Sequence, residues 1–519
     1  MSEPEPPALL PRPLLHFVAP GWLNDPNGLR ATRDGWRIWF QYRDDAPAFR
    51  RVHWGTATSR DLLHWQFDGI ALPGHDGLGA YSGCVLGAAP GTEACVAVFT
   101  RHRETPDGGR HEAQHLATSA DGRRFLVHER AVLDEGRADF RDPFVFWHRG
   151  AWRMVLALPA PWQPTPGAAA SSLSFHGADP PEDGSVPRHW ARLGEFGPAE
   201  CGRELWEVPW LLELEGTDGR TRAVLGLSVV DRRDDAARGS TRCWIGWFDG
   251  ASFEAEPGWD GAPLDHGPDF YAAVPVDLPH PPGGAGPPRR CATLLAWMSN
   301  WHYARRVRGD GWAGGPLALP RLLELAVDGS GPVLRQRPAP QLEGRRVDAV
   351  ATGSLQPVAG TGASLRLPGP ACDLGLVVEL RQGAQRLCLA LHGGTLRLLL
   401  EQGGAVLRLE RDAAPGVPGS EGAWSVRRRE PSPRLALRAV LDACSVEVFA
   451  DDGAACFTAL AFPPSASAPG VVPMLHATVD GGSATLRYEL VALAAGPVAD
   501  ADAGGHGGVG MGTAGDDRA

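Results

Sequence analysis

Three acidic motifs in this 519-residue chain contain the residues whose types are suited to catalysis. They are Trp22-Leu-Asn-Asp25-Pro-Asn-Gly28, Asp139-Phe-Arg141-Asp142-Pro143 and Leu205-Trp206-Glu207-Val208-Pro209. Carboxyl groups serve as nucleophiles and as proton donors or acceptors. Taken singly, each motif is also explained by a turn or by an exposed charged side chain. Three carboxylates gathered at one axis would repel each other, so their convergence would indicate a functional site.

The segments around these motifs predict a protein built almost entirely of β-strands. Its 66 glycines and 47 prolines interrupt the chain every few residues, and short apolar or aromatic runs lie between them. Five such runs, 36–40, 95–99, 152–156, 223–227 and 293–297, begin 59, 57, 71 and 70 positions apart. A second element, with an Asp and a closing aromatic residue, recurs at 59–65, 119–125 and 247–253. Sheet-sized repeats predict a five-bladed β-propeller with a central funnel, and each acid is expected just before a strand.

The sequence changes character after Leu325, where only one of the 18 tryptophans, Trp424, remains. Alternating strands are predicted at 374–380, 386–391, 395–400, 435–441, 445–449 and 484–490, which favours an all-β second domain, a β-sandwich. The predicted organisation is a flexible segment 1–12, a propeller 13–327, a linker 328–346, a sandwich 347–495 and a disordered tail 496–519. The stretch 159–187, rich in Pro, Gly and Ala, predicts a rim loop.

The composition excludes several classes of protein. Hydrophobic residues make up 43% and charged residues 21% of the chain, as in soluble globular proteins, and no run of eighteen apolar residues occurs. The net charge is -11 and all 50 basic residues are arginines without a basic block, which argues against a nucleic acid or a membrane as partner. The nine scattered cysteines form no CxxC pair, so no metal site is predicted. The N-terminus lacks the features of a secretory signal, which predicts a cytoplasmic location.

The motifs resemble, in type and in order, those of glycoside hydrolase family 32, the β-fructofuranosidases. The matching segments are 22–28, 40–42, 53–55, 59–65, 81–83, 141–143, 206–209, 269–272 and 297–301, followed in the second domain by 445–449 and 462–463. Together the resemblance covers about residues 13–493. It implies a five-bladed propeller with a C-terminal β-sandwich.

The resemblance also implies a mechanism in which two carboxyl groups cleave a furanoside with retention. By the family pattern, Asp25 is the nucleophile, Glu207 is the proton donor and then the base, and Asp142 stabilises the transition state. The implied substrate-binding residues are Asn24, Gln41, Phe49, Tyr81, Ser82, Arg141, Tyr271 and Trp297. No cofactor or metal is required, and the expected partner is a small molecule or oligosaccharide that carries β-fructofuranosyl groups.

Departures from the family pattern leave the exact substrate open. Val208 stands where family members often have Cys, Trp210 where many have Asp, and Phe49 in a region where many have a Trp. Glu200, which precedes Cys201, is an alternative acid, but the Trp206 and Pro209 frame favours Glu207.

The leading interpretation is release of terminal fructosyl units from sucrose, fructo-oligosaccharides or fructans. Three alternatives remain: a fructosyltransferase that uses the same covalent intermediate, a non-catalytic fructan-binding protein, and an inverting five-bladed hydrolase of pentosans. The separation of the two carboxyl groups would identify an inverting enzyme. The sequence does not indicate an oligomeric state or distinguish exo from endo action.

Overall fold

The computed structural model describes residues 9–44, 51–75, 77–88, 92–160, 170–181, 185–197, 204–231, 238–276, 291–463 and 473–494. Strands make up 61% of the structure and helices 4%, so the predicted all-β class is confirmed. The helical segments in these ranges are the short 3-10 helices Ala304–Arg306, Pro340–Arg345, His392–Gly394 and Gln402–Gly404. None of the described helices is long and apolar enough to cross a membrane.

The first part of the described chain forms five sheets that follow one another along the sequence, and their strands pair antiparallel except for β21, which pairs with β1 in parallel. In chain order the strands are β1 (Gly21–Thr32), β2 (Gly35–Arg43), β3 (His53–Ser59), β4 (Gln66–Leu72), β5 (Leu78–Gly87), β6 (Cys95–Glu104), β7 (Arg110–Ser119), β8 (Leu126–Val127), β9 (Arg141–His148), β10 (Ala151–Leu158), β11 (Ser172–Ala178), β12 (Ala191–Phe196), β13 (Glu204–Glu215), β14 (Thr221–Asp231), β15 (Arg238–Phe248), β16 (Phe253–Ala255), β17 (Ala262–Pro263), β18 (Tyr271–Val276), β19 (Cys291–Trp297), β20 (Arg308–Gly309), β21 (Trp312–Ala313), β22 (Arg321–Asp328) and β23 (Gly331–Pro338). The sheets are β1–β4 with β20 and β21, then β5–β8, β9–β12, β13–β17, and lastly β18, β19, β22 and β23.

The five sheets close into a ring around one axis. Their first strands, β1, β5, β9, β13 and β18, contact each other in this order, and β18 contacts β1. Strands such as β14 and β18 are buried along most of their length, because each sheet packs between two neighbours. This is the arrangement of a β-propeller, in which the first strand of each blade lines the funnel.

The acidic motifs were predicted to lie just before a strand of each blade, but the structure places them within the first strand of the blade. The five apolar runs lie in β2, β6, β10, β14 and β19, which are the second strands of their sheets. Asp25, Asp142 and Glu207 therefore lie within the innermost strands β1, β9 and β13 and not in turns that precede a strand. The second repeated element lies between the third and fourth strands of the first, second and fourth sheets.

The rest of the described chain forms a sandwich of two six-stranded antiparallel sheets. Its strands are β24 (Arg346–Leu355), β25 (Ala363–Arg366), β26 (Cys372–Arg381), β27 (Arg386–Leu391), β28 (Leu396–Glu401), β29 (Val406–Arg411), β30 (Gly422–Arg427), β31 (Arg434–Asp442), β32 (Ser445–Ala450), β33 (Ala455–Leu460), β34 (Met474–Asp480) and β35 (Ser483–Leu493). The sheet orders are β24-β35-β26-β31-β32-β33 and β25-β34-β27-β28-β29-β30. Alternate leucines and valines of both sheets form one core between them.

The structure differs from two of the predicted boundaries. Residues 328–346, predicted as a linker, contain β23, which pairs with β22 in the fifth sheet, and a 3-10 helix. The tight turn between β22 and β23 places Gly331 at a φ of 101°, a backbone conformation that favours glycine. In the predicted flexible segment 1–12, Leu10 is buried and its N–H donates to Arg308 O at 2.9 Å. Residues 1–8 and the predicted tail 496–519 lie outside the described residues.

Buried ionic contacts join the propeller to the sandwich. His16 lies between two carboxylates of the sandwich, with Nδ1 2.8 Å from Asp442 Oδ2 and Nε2 2.8 Å from Glu447 Oε1. Arg321 of the propeller donates through Nε to Glu447 Oε2 at 3.0 Å and through Nη1 to Asp265 Oδ2 at 2.8 Å. These five residues, which we call the junction cluster, fix the sandwich against the fifth sheet.

Candidate active site

All five innermost strands are irregular where they pass the axis of the propeller. The pairing with the second strand shifts register around Pro26, between Ala80 and Gly83, opposite the Val155–Ala157 step, between Glu207 and Trp210, and between Tyr271 and Val274. Such bulges turn a strand's side chains away from strict alternation. Three of the five bulges lie at the motifs that contain the predicted acids, and each of these motifs includes a proline: Pro26, Pro143 or Pro209. Proline cannot donate a ladder hydrogen bond, so these sequences favour an irregular strand at the site.

Three of these bulges place a non-glycine residue in the left-handed region. Asp142, Val208 and Ala272 have φ values of 62°, 50° and 51°. The N–H of each is held by a side chain: Thr100 Oγ1 accepts from Asp142 at 2.9 Å. Val208 donates to Asp142 Oδ2 at 2.9 Å and Ala272 donates to Ser228 Oγ at 2.8 Å. Backbone strain of this kind persists where the surroundings fix it, and it is concentrated at functional sites.

Asp25 is a buried carboxylate that neutral donors hold. Ser82 Oγ donates to its Oδ2 at 2.7 Å and Asn24 Nδ2 donates to its Oδ1 at 3.1 Å. Asn24 is itself oriented by Trp22, whose Nε1 donates to Asn24 Oδ1 at 2.8 Å. Burial raises the pKa of Asp25 to about 6, with a contribution from the charge of Glu207 and against the hydrogen bonds from Ser82 and Asn24. The carboxylate is therefore fixed in orientation and only weakly stabilised as an anion.

Asp142 is buried on the neighbouring side of the funnel. Burial raises its pKa well above the ordinary range, the Arg141 guanidinium lowers it, and the charges of Glu207 and Asp25 raise it again. Because each of these two charges acts on Asp142, the three predicted acids share one site. The structure thus brings Asp25, Asp142 and Glu207 together although they are far apart in the sequence.

Glu207 is the acid with cationic and phenolic partners. Its Oε1 accepts from Arg141 Nη2 at 3.1 Å and from Nε at 3.3 Å. Its Oε2 accepts from the Tyr271 hydroxyl at 2.7 Å. The Glu207 side chain is 19% exposed, whereas Asp25 and Asp142 are both buried. Glu207 is thus the acid that solvent and a leaving group reach most easily.

Three other predicted binding residues, Gln41, Tyr81 and Trp297, lie on β2, β5 and β19. Gln41 is buried and its Nε2 donates to Ala80 O at 3.1 Å. The ring of Tyr81 stacks on His102 with 4.3 Å between centroids. Trp297 is fully buried, and its ring lies edge-on to Tyr271 with 6.3 Å between centroids. Two further residues, Phe49 and the alternative acid Glu200, lie outside the described residues.

The two departures beside Glu207 have distinct consequences. Val208 contributes its N–H to Asp142, a contact that depends on the backbone and not on the side chain. Trp210 is fully buried and its Nε1 donates to Ala273 O at 2.7 Å. An indole ring thus fills the position where many members of the resembled family have Asp, and its hydrogen bond joins β13 to β18.

Sequence reasoning missed one acid of the site, Glu112 on β7. It is fully buried, and its Oε2 accepts from Phe140 N–H at 3.0 Å and from Arg141 Nη1 at 3.3 Å. Its Oε1 lies 3.1 Å from His102 Nδ1. Nothing in the local sequence distinguishes Glu112 from an exposed acid on a strand. Over the described part of the chain, no group of three or more His, Cys, Asp or Glu side chains is arranged to hold a metal ion.

The chain matches both domain models of one enzyme family. The model of the glycosyl hydrolases family 32 N-terminal domain matches residues 16–338, and that of the family 32 C-terminal domain matches residues 343–488. These bounds place the whole fifth sheet in the first domain.

Similar proteins extend this match over most of the chain. A levanase of Bacillus subtilis is 27% identical over 492 residues, which cover 88% of this chain and 67% of the levanase. A raffinose invertase of Escherichia coli is 30% identical over 473 residues, covering 87% of this chain and 89% of the invertase. The crystal structure of an exo-inulinase from Aspergillus awamori superposes with a TM-score of 0.78 at 23% identity, over 93% of this chain and 98% of the inulinase. The superposition on the exo-inulinase shows that the two proteins share a fold.

Proposed function

Because the chain belongs to glycosyl hydrolase family 32, we propose that it releases terminal β-D-fructofuranosyl units from sucrose, fructo-oligosaccharides or fructans, with retention. The similarity to a levanase and a raffinose invertase supports this substrate class. The observation that carries the proposal is the meeting of Asp25, Asp142 and Glu207 on innermost strands of one ring.

Asp25 is the nucleophile in this proposal. Its ionised carboxylate attacks C2 of the fructosyl unit while the bond from C2 to the leaving oxygen breaks. The hydrogen bonds from Ser82 and Asn24 fix the direction of the carboxylate before substrate arrives. A pKa of about 6 means that Asp25 is mostly ionised at pH 7, yet less stabilised than an exposed carboxylate, which favours attack.

Glu207 supplies the proton that the leaving oxygen receives. In the second step its carboxylate takes a proton from water, the water oxygen bonds to C2, and the bond to Asp25 breaks to release fructose. Arg141 and Tyr271 orient Glu207 from opposite sides through its two oxygens. Asp142, fixed by the N–H of Val208, faces the hydroxyls of the sugar ring and stabilises the positive charge that develops there.

Product analysis tests this proposal directly. The protein is incubated with sucrose, 1-kestose, inulin and levan, and products are separated by chromatography with time. Free fructose is expected from all four substrates, together with an equal amount of glucose from sucrose as the leaving group. Longer oligosaccharides would favour transfer of the fructosyl unit to a sugar hydroxyl, and absence of cleavage of all four would overturn the proposal.

Stereochemistry distinguishes the inverting alternative. With methanol as acceptor, a retaining enzyme transfers the fructosyl unit to give methyl β-D-fructofuranoside, which NMR distinguishes from the α-anomer. Formation of the α-anomer would contradict a covalent intermediate on Asp25. The cytoplasmic location stays a prediction from the sequence.

A further inference from the structure

Arg141 is surrounded by carboxylates that compete for its charge. Its Nη2 donates to Glu207 at 3.1 Å, and its Nη1 donates both to Asp139 at 3.1 Å and to Glu112 at 3.3 Å. Burial alone would lower the pKa of Arg141, but Glu112, Glu207, Asp142 and Asp139 together raise it well above its ordinary value. Arg141 is thus permanently charged, and the partners of Nη1 determine how much of that charge acts on Glu207.

Glu112 is the most deeply buried of the partners of Nη1. Its side chain is 1% exposed, against 16% for Asp139. It accepts hydrogen bonds from Phe140 N–H and Arg141, and His102 faces its second oxygen. The Tyr81 ring covers His102 in a nearly parallel stack with 4.3 Å between centroids. A charge pair with so little water around it interacts more strongly than an exposed pair.

We propose that Glu112 is a positioning residue of the glycosidase, whose buried negative charge balances Arg141 so that Glu207 retains the proton it must deliver. The proposal rests on the proposed function, since it assigns no separate activity. Glu112 acts through Arg141. Its hydrogen-bond partners among the described residues are His102, Phe140 and Arg141, and they include neither Asp25 nor Asp142.

The physical reason is the conflict between orientation and protonation at Glu207. A guanidinium at 3.1 Å orients Glu207, but a positive charge so close, if no other anion balanced it, would oppose the delivery of a proton from that carboxyl group. The other groups that face Glu207 are the Tyr271 hydroxyl and the charges of Asp25 and Asp142. The groups that face Glu112 are Arg141, His102 and the Tyr81 hydroxyl. Among the described residues, Glu112 and Asp139 accept from Nη1 of Arg141 and make no hydrogen bond to Glu207.

The test is the pH profile of kcat/KM for sucrose in Glu112→Gln, with Asp139→Asn as the matched control. Both substitutions remove one negative charge from Nη1 of Arg141 and keep an oxygen that can accept its hydrogen bond. The basic limb of kcat/KM reports loss of the proton from the acid in the free enzyme. In Glu112→Gln this limb is expected to move to lower pH by about one unit, a roughly tenfold loss of kcat/KM on the alkaline side. In Asp139→Asn the shift is smaller, because solvent screens that carboxylate.

A second substrate separates positioning from general damage. An aryl β-fructofuranoside with a good leaving group needs little protonation, so Glu112→Gln is expected to cleave it at close to the wild-type kcat/KM. Glu112→Asp retains the charge one methylene further from Arg141 and is expected to place the basic limb between those of the wild type and the Gln variant. This variant also keeps the test available if the Gln variant does not fold.

The outcomes separate this inference from the proposed function. Failure of the wild-type protein to release fructose overturns the function and the inference with it. An active wild type in which Glu112→Gln and Glu112→Asp shift the basic limb no more than Asp139→Asn overturns the inference alone. Equal loss of kcat/KM on sucrose and on the aryl substrate also overturns it, since it would show a merely structural role.

Discussion

The molecule contains two buried clusters of acids that differ in how many cations accompany them. In the junction cluster, Asp442, Glu447 and Asp265 are matched by Arg321 and by His16, both fully buried. In the active site, Asp25 and Asp142 have no cation in hydrogen-bond contact among the described residues. The same carboxyl chemistry is thus placed in two opposite electrostatic environments.

The difference is visible in the pKa values. Burial would raise the pKa of Glu447, but Arg321 and His16 lower it to about 2. The pKa of Asp442 is also lowered, because His16 and backbone N–H groups more than offset its burial. The pKa of Asp25, in contrast, is raised to about 6. Matched cations make a buried acid structural, and an incomplete match leaves it reactive.

One short segment contributes both to the active site and to the docking of the sandwich. In the motif 269–272, the Tyr271 hydroxyl donates to Glu207 in the active site at 2.7 Å. Two residues earlier, Asp269 Oδ2 accepts from Arg411 of the sandwich at 2.6 Å and from Leu460 N–H at 2.8 Å. The docking of the sandwich therefore fixes the start of β18, which carries a residue of the catalytic site.

The largest effect is expected from removing the charge of an active-site acid. Asp25→Asn and Glu207→Gln keep the shape of the side chains but remove the nucleophile and the proton donor, respectively. Each should lower kcat for sucrose by about 10⁴-fold or more. Release of fructose measured with a coupled assay checks this, and circular dichroism serves as the control for folding. A variant that retains more than a tenth of wild-type turnover would remove that residue from its role.

Removing a carboxylate charge should destabilise the protein in the junction cluster but not in the active site. Glu447→Gln leaves Arg321 and His16 without their shared anion, and is expected to lower the free energy of unfolding by about 3–5 kcal/mol. Asp25→Asn removes a charge whose burial is unfavourable and should leave that free energy unchanged or higher. Urea unfolding at pH 7, followed by tryptophan fluorescence, measures both. Equal destabilisation by the two variants would show that the clusters do not differ as described.

The sequence predicted the second strands of the propeller better than the strands that carry the site. Runs such as 152–156 are apolar because they are buried on both faces, and their spacing reveals the blades. The innermost strands are interrupted at their bulges by polar residues and prolines, such as Asn24, Asp25 and Pro26, so the sequence predicted each acid just before a strand and not within one. β11 was similarly predicted as part of a rim loop, since its neighbours are rich in Pro and Gly.

The catalytic acids were predictable because their motifs resemble a known family, whereas their supports were not. Glu112 contacts Arg141, 29 positions further along the chain, and only the folded ring brings the two together. The contacts of His16 with Asp442 and Glu447 span more than 420 positions and leave no local pattern in the sequence. Residues that act through partners distant in sequence are therefore the part of a site that the structure must reveal.

The junction cluster should make the stability of the protein depend on alkaline pH. Burial alone would lower the pKa of His16, but Asp442 and Glu447 raise it from 6.5 to about 9. A pKa raised in the folded state gives stability that is fully present below pH 6.5 and is lost as the pH rises through 9. The loss should amount to about 3 kcal/mol. It is measured as the change in the difference in unfolding free energy between the wild type and His16→Gln from pH 6.5 to 9.5, and a constant difference would contradict it.

The smallest expected effect concerns the acid limb of activity. Ser82 Oγ donates to Asp25 and so favours its ionised form. Ser82→Ala should raise the pKa of Asp25 further above about 6, which moves the acid limb of kcat/KM to higher pH by about one unit or less. Ser228→Ala is the matched control, because the Ser228 hydroxyl holds the bulge at Ala272 and its hydrogen bonds among the described residues do not include the three acids. If both variants shift the limb equally, the hydrogen bond to Asp25 is not its cause, and the reactivity of the acid cluster must come from burial alone.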